Sequence, residues 1–215
     1  DNFTNAPIPI GEPRVIPQLI EQSQESMIVP QGESQALPPY KYVEDRNATD
    51  NPQGGNGQTV ILKKFEGIPM TNFVPPDPTM AVGPNHVIVC ANDVFRIFDK
   101  QGNLIKEIGG YAWWLPLTPY ELGDPQVIYD HFMERWVLVW MEGSDNPPQY
   151  GDLVAYSDDS NPLGDWYLYR FPNSTLGDYP KLGFDDEALY IMWRTGSSSI
   201  RIINKAELYS SNGGP

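Results

Sequence analysis

From residue 59 onward the chain alternates short apolar runs with turn-forming residues, and the runs repeat. Pro78-Thr79-Met80-Ala81-Val82, Pro125-Gln126-Val127-Ile128-Tyr129 and Pro180-Lys181-Leu182-Gly183-Phe184 share one pattern: proline, polar, apolar, any residue, apolar. The prolines stand 47 and 55 residues apart. Each unit leads through a turn (Gly83-Pro84-Asn85-His86, residues 130–135, or Asp185-Asp186-Glu187) into a second apolar run at 87–91, 136–140 or 189–193. Such turns suit hairpins. A third run follows, with Phe95-Arg96-Ile97-Phe98-Asp99-Lys100 matching Ile200-Arg201-Ile202-Ile203-Asn204-Lys205. In the middle unit it comes at 153–158, delayed by a Gly/Pro/Asn loop at 143–151, and a fourth run appears at 104–108 and 166–171.

Four short antiparallel strands recurring about every 50 residues is the pattern of propeller blades. A β-sandwich also spaces short strands regularly, but has no reason to repeat the proline motif. The expected fold is therefore all-β: a β-propeller of four-stranded antiparallel blades, about three of them in this chain. The third unit reaches residues 209–215 where its fourth strand is expected to begin. Closing a propeller takes about four to eight blades. The rest would come from more of the same chain or from a neighbouring one.

Residues 1–58 read differently. Pro7, Pro9, Pro13, Pro17, Pro30, Pro38 and Pro39 punctuate them, and Gly54-Gly55-Asn56-Gly57 closes them. Proline fixes φ and removes a donor, so an extended arm is expected, with at most one short helix near 18–26. The domain reading is thus an N-terminal arm, 1–58, and incomplete propeller blades, 59–215. Such an arm wraps its own domain or provides an interface to a partner.

Charge narrows the partners. With 28 Asp and Glu against 14 Lys and Arg, the formal net charge is −14. That surface repels phosphate backbones, which argues against nucleic acid, and it disfavours anionic membranes. It suits an extracellular protein, and it suits Ca²⁺, which takes oxygen ligands. Twenty-two prolines and 19 glycines fit a turn-rich β-protein. The single cysteine, Cys90, lies in an apolar run and reads as core. No apolar run reaches the ~18 residues of a membrane span. The chain opens on Asp1-Asn2-Phe3, which fits a secreted or cell-surface protein whose signal peptide has been removed.

Residues 157–166, Ser157-Asp158-Asp159-Ser160-Asn161-Pro162-Leu163-Gly164-Asp165-Trp166, resemble the Asp-box of sialidase-like propellers. Ser157, Asp159, Gly164 and Trp166 match in order, with two extra residues between and Asp165 in place of Thr. That resemblance implies a folding device, the Asp capping the turn and the Trp packing between strands. More broadly, residues 75–209 are similar to secreted bacterial propellers of Bacteroidota-type surface proteins. The phrases that carry this are Pro76-Asp77-Pro78, Ala81-Val82-Gly83-Pro84-Asn85-His86, Gly123-Asp124-Pro125, Arg135-Trp136-Val137 and Gly177-Asp178-Tyr179-Pro180-Lys181. The resemblance implies fold and secretion, and no particular activity.

Three residue sets could carry chemistry. Asp77, Asp124 and Asp178 each precede an innermost strand, so in a propeller they would ring one mouth of the central channel. There they would coordinate Ca²⁺, act as an acid/base pair for glycoside hydrolysis, or simply form turns. Trp113, Trp114, Tyr111 and Tyr120 lie between the first two units and would stack on a sugar or pack as core. His86 and His131 fall in turns at a spacing that matches no zinc motif. Ser197-Ser198-Ser199 lacks a nucleophile context. The expected function is a binding or assembly module at the cell surface, without catalysis, recognising a protein or a glycan. The alternative is a glycoside hydrolase with its carboxylates at the channel mouth.

Overall fold

The computed structural model describes residues 8–9, 61–71, 73–145 and 148–210. The chain divides into two compact units, one of Asp1–Val15 with Phe65–Pro215 and one of Ile16–Lys64. Of the first fifteen residues, Ile8 and Pro9 are described, and they pair with the second sheet. Within the second unit the described residues, 61–64, are exposed and irregular. The expected helix near 18–26 and most of the 1–58 arm lie outside the described residues.

The first unit is all-β, in three antiparallel sheets. A two-residue strand β1 (Ile8–Pro9) comes first in the chain. The first sheet is a meander of β2 (Thr79–Val82), β3 (His86–Ala91), β4 (Val94–Asp99) and β5 (Leu104–Gly109). A short helix α1 (Gly110–Trp114) leads to the second sheet, β6 (Glu121–Asp130), β7 (Arg135–Asp145), β8 (Pro148–Ser157) and β9 (Asp165–Asn173). β1 adds to its outer edge, Ile8 opposite Trp166 and Pro9 opposite Asp165. The third sheet is β10 (Asp178–Phe184), β11 (Ala188–Thr195) and β12 (Ser197–Asn204), followed by α2 (Lys205–Ser210).

Each sequence repeat is thus one meander, and the repeated proline opens or lies in its first strand. Two elements differ from expectation. Residues 143–151 are mostly strand, because β7 and β8 stay paired out to Asp145 opposite Pro148. Tyr209 lies in α2 rather than opening a fourth strand: Leu208 and Tyr209 are buried against the core, which rewards a helical turn there.

Side chains alternate across each strand, so β7 serves two cores. Trp136, Leu138 and Trp140 join Ile88, Cys90, Phe95 and Ile97 of the first sheet. Val137 and Val139 join Leu189, Ile191 and Trp193 of the third. The second sheet is covered on both faces, which is why β7 reads as a continuous apolar run. β6 neighbours both β2 and β10, so the three first strands come together. Among the described residues the sheets close neither a barrel nor a ring.

Gly83 shows how tightly the first two sheets meet. A Cβ there would stand 2.5 Å from the Trp136 ring and 3.0 Å from Tyr129. Only glycine lets that turn approach the second sheet.

Candidate functional site

The three proline motifs place unusual backbone where the first strands meet. The residue before each proline is left-handed: Asp77 at φ 41°, Asp124 at φ 49° and Tyr179 at φ 54°. Side chains other than glycine's rarely adopt this region, and the residue before a proline is restricted further. The third sheet departs from the sequence expectation here. Tyr179, not Asp178, is the counterpart of Asp77 and Asp124, and Asp178 sits one residue earlier. A bulge accompanies the motif in the second and third sheets, between Gly123 and Gln126 and between Asp178 and Lys181. Bulges re-aim side chains.

The acids nonetheless come together. Asp124 Oδ2 accepts the N–H of Tyr179 at 3.1 Å, joining second sheet to third. Burial pushes the Asp124 carboxyl up, the negative charge of Asp77 adds to this, and the Tyr179 N–H pulls it down. A hydrogen bond with the Asp77 carboxyl and the charge of Asp178 raise it further, to about 6. Asp124 is therefore held partly protonated in mildly acidic solution. Asp178 pairs with Arg194 at 3.0 Å, an exposed pair of small energetic weight.

No protein-family model matches this chain, and no curated protein matches it.

The raised Asp124 carboxyl has a measurable consequence. A carboxyl raised to about 6 binds more protons folded than unfolded between about pH 4 and 6, so its contribution to stability falls as pH rises across that window. Above it both states are ionised and the slope vanishes. Asp124→Asn keeps an acceptor for Tyr179 and removes the charge. The variant is expected to be more stable than wild type at pH 7.5 by on the order of 1 kcal/mol, discounted because the site is partly open to solvent. At pH 4 the advantage should disappear. Urea midpoints at both pH values check this, and an equal difference at both would show that Asp124 is not raised.

The remaining candidates are distributed elsewhere. Trp113 and Trp114 are buried in the core between the first two sheets, Trp113 with its ring 5.0 Å from Phe95 and 5.4 Å from Trp166. Their faces are spent on packing, so the sugar-stacking expectation is corrected for both. Tyr111 packs against the same core and Tyr120 is half-buried. Tyr111 follows Gly110 at the start of α1, and its hydroxyl hydrogen-bonds the backbone of Leu122 in β6. His86 opens β3, and burial lowers its pKa. His131 is exposed and stacks beside Phe132 and Phe184 at 4.1 and 5.5 Å. Cys90 is fully buried and its thiol is pushed well up, which leaves it inert.

In residues 157–166, Asp159 Oδ1 accepts the N–H of Asn161 at 2.6 Å, closing its own turn. Ser157 Oγ accepts Trp136 N–H at 2.8 Å, and Trp166 is fully buried with Nε1 donating to Pro162 O. This segment holds β8 and β9 together.

Among the described residues no three His, Cys, Asp or Glu side chains are grouped to hold a metal ion. At the acid site Arg194 engages Asp178 and the Tyr179 N–H engages Asp124.

Sequence reasoning missed Arg194 and the Tyr179 peptide. Neither carries a signal in the repeat, since Arg194 stands where the second sheet has Met141.

Proposed function

We propose that this chain belongs to a secreted or cell-surface β-propeller whose acidic end recognises a protein or glycan partner without chemically changing it. The observation that carries this is the convergence of Asp77, Asp124 and Asp178 from three successive sheets onto one place. Stacked meanders with neighbouring first strands support the propeller, because blades meet in that way around a central axis. The acids are already engaged with Arg194 and a backbone N–H, which suits a recognition surface offering carboxylate acceptors to basic side chains or sugar hydroxyls. A net charge of −14 draws cationic partners toward it.

One observation favours a second reading. A carboxyl held protonated to about pH 6 beside another carboxyl is the kind of pair that glycoside hydrolysis uses, one as acid and one as base or nucleophile. A single screen separates the two. The protein is incubated with a panel of glycans and basic peptides, scored for retention and for released reducing sugar. Retention that Asp77→Asn and Asp124→Asn weaken about tenfold or more, without sugar release, is the expected outcome. Turnover that Asp124→Asn abolishes would establish the hydrolase instead.

A further inference from the structure

Nearly all the cationic side chains among the described residues are built into the fold. Every described arginine lies on a strand. Lys106 lies on β5, Lys181 on β10, and Lys205 is fully buried on α2. Lys100 sits in the tight turn between β4 and β5. There Asp99 Oδ1 accepts the N–H groups of Gln101 at 2.9 Å and Asn103 at 2.8 Å, and Asp99 O accepts the N–H of Gly102 at 3.1 Å. Lys63 and Lys64 differ from all of these. They are adjacent and exposed, in a stretch, 61–66, that joins no strand or helix. Leu62 beside them is 84% exposed.

An endoprotease grips its substrate as an extended chain whose main-chain donors and acceptors are free to pair with it. A strand or a capped turn must first open, at a cost set by its local stability, whereas an exposed irregular stretch needs no such opening. The stretch 61–66 meets that requirement, and the chain is fastened directly after it. The Phe65 ring stacks on Phe98 at 5.3 Å, and Gly67 O accepts Arg96 Nη1 at 2.8 Å. A Cβ on Gly102 would stand 2.6 Å from the Phe65 ring, so that ring is closely seated. The new end left by a cut at the lysines is therefore held in place. Every member of both cores lies at residue 81 or beyond, so the cut takes nothing from either.

We propose that Lys63-Lys64 is a processing site for an endoprotease that cleaves after lysine, leaving a body of sheets that begins at Lys64 or Phe65. Such a protease holds the lysine ammonium with a carboxylate in its specificity pocket. Water adds across one peptide bond. The lysine carbonyl carbon takes the hydroxyl and ends as a carboxylate, and the freed nitrogen takes a proton and ends as an ammonium. The cut removes the covalent tie between the portion before it and the sheets. Asp77, Asp124 and Asp178 all stay with the retained body, and the inference is independent of what they bind.

The test has two arms. In the first, the folded chain is treated with trypsin, which cleaves after lysine and arginine, and the fragments are timed by mass spectrometry and N-terminal sequencing. The bonds after Lys63 and Lys64 are expected to be cut about 100-fold or more faster than those after Lys100, Lys106 and Lys181. Equal rates overturn the proposal. In the second arm, the protein recovered from the cells that make it, or from their medium, is sequenced from its N-terminus. A form beginning at Lys64 or Phe65 is expected. The double variant Lys63→Gln, Lys64→Gln should persist uncut there, with its thermal midpoint within about 2 °C of wild type because both side chains are exposed. Recovery of the wild-type chain only in uncut form overturns the proposal, and so does the same cut form appearing in the double variant. A larger drop in the midpoint would mean that the fold holds these side chains, which also overturns it. None of these outcomes depends on retention or turnover, so failure here is distinct from failure of the functional reading.

Discussion

Replacing Lys205 with methionine is expected to destabilise the protein by about 3–5 kcal/mol, because it leaves a buried carboxylate without its counter-charge. Lys205 and Asp130 are both fully buried, Nζ lying 2.7 Å from Oδ2. Lys205 also donates to Asp185 O, and its ammonium sits 5.1 Å from the centre of the Phe132 ring. Asp130 is otherwise satisfied: Oδ1 accepts the N–H groups of Phe132 and Met133, and Oδ2 accepts the Tyr209 hydroxyl at 3.1 Å. Burial first, and then the Asp130 charge, hold Tyr209 protonated as the donor. Asp130 ends β6 while Lys205 and Tyr209 lie on α2, so this one network ties the second sheet to the third. Urea denaturation gives the loss directly. Adding Asp130→Asn to Lys205→Met should recover most of it, since the stranded charge is then gone. A loss under about 1 kcal/mol for the single change would mean that water reaches Asp130 and the network does not pin the sheets.

Truncating Trp140 to alanine should cost a similar amount, about 3–5 kcal/mol, for a different reason. Its side chain is fully buried between Phe95 and Trp114, with ring centroids 5.9 and 6.1 Å away. Its Nε1 donates to Asn92 O of the first sheet. The alanine leaves a large void in the core that joins the first two sheets, and ring partners on both sides lose contacts. Trp140→Phe separates the two contributions: it retains most of the packing but strands the Asn92 carbonyl, so about 1–3 kcal/mol is expected. If alanine and phenylalanine cost the same, the hydrogen bond rather than the packing holds this junction. Calorimetric or urea unfolding at pH 7.5 reads both values.

Much of the architecture was legible because it depends on period and punctuation. The proline motif, the turns and the apolar runs mark where strands begin and end, and β2 to β12 lie close to where the runs place them. Continuous apolar runs in β7 and β8 signalled a sheet covered on both faces, and both faces are covered. The exceptions have local causes. Residues 143–151 look like a loop from their Gly, Pro and Asn content, yet ladder bonds carry the hairpin through them. The segment at 205–210 looks like the approach to a strand, yet Leu208 and Tyr209 find the core by turning helical.

The candidate site was legible only in part. That Asp77, Asp124 and Asp178 precede equivalent strands follows from the repeat, and their proximity follows once the first strands adjoin. That Asp124 is raised by burial and by the nearby Asp77 charge, that Tyr179 takes the third left-handed position, and that Arg194 occupies Asp178 depend on distances of a few ångströms across sheets. The tryptophan pair was ambiguous for the same reason. Trp113 and Trp114 are a sugar platform or a core according to what lies on their faces, and only the packed second sheet decides it.

By itself, then, the amino-acid order determined the all-β class, the repeat of about 50 residues, the strand positions and the acidic character. Each of these rests on neighbours in the chain: alternation along a strand, backbone restriction at proline and glycine, and summed charge. The tertiary structure alone decided which sheet face is shared, which aromatic is buried, where Lys205 finds Asp130, and that Met192, Ile200 and Ile202 stay exposed. Those outcomes are set between residues some 50 to 80 positions apart, by burial and by hydrogen bonds whose strength falls off within an ångström or two.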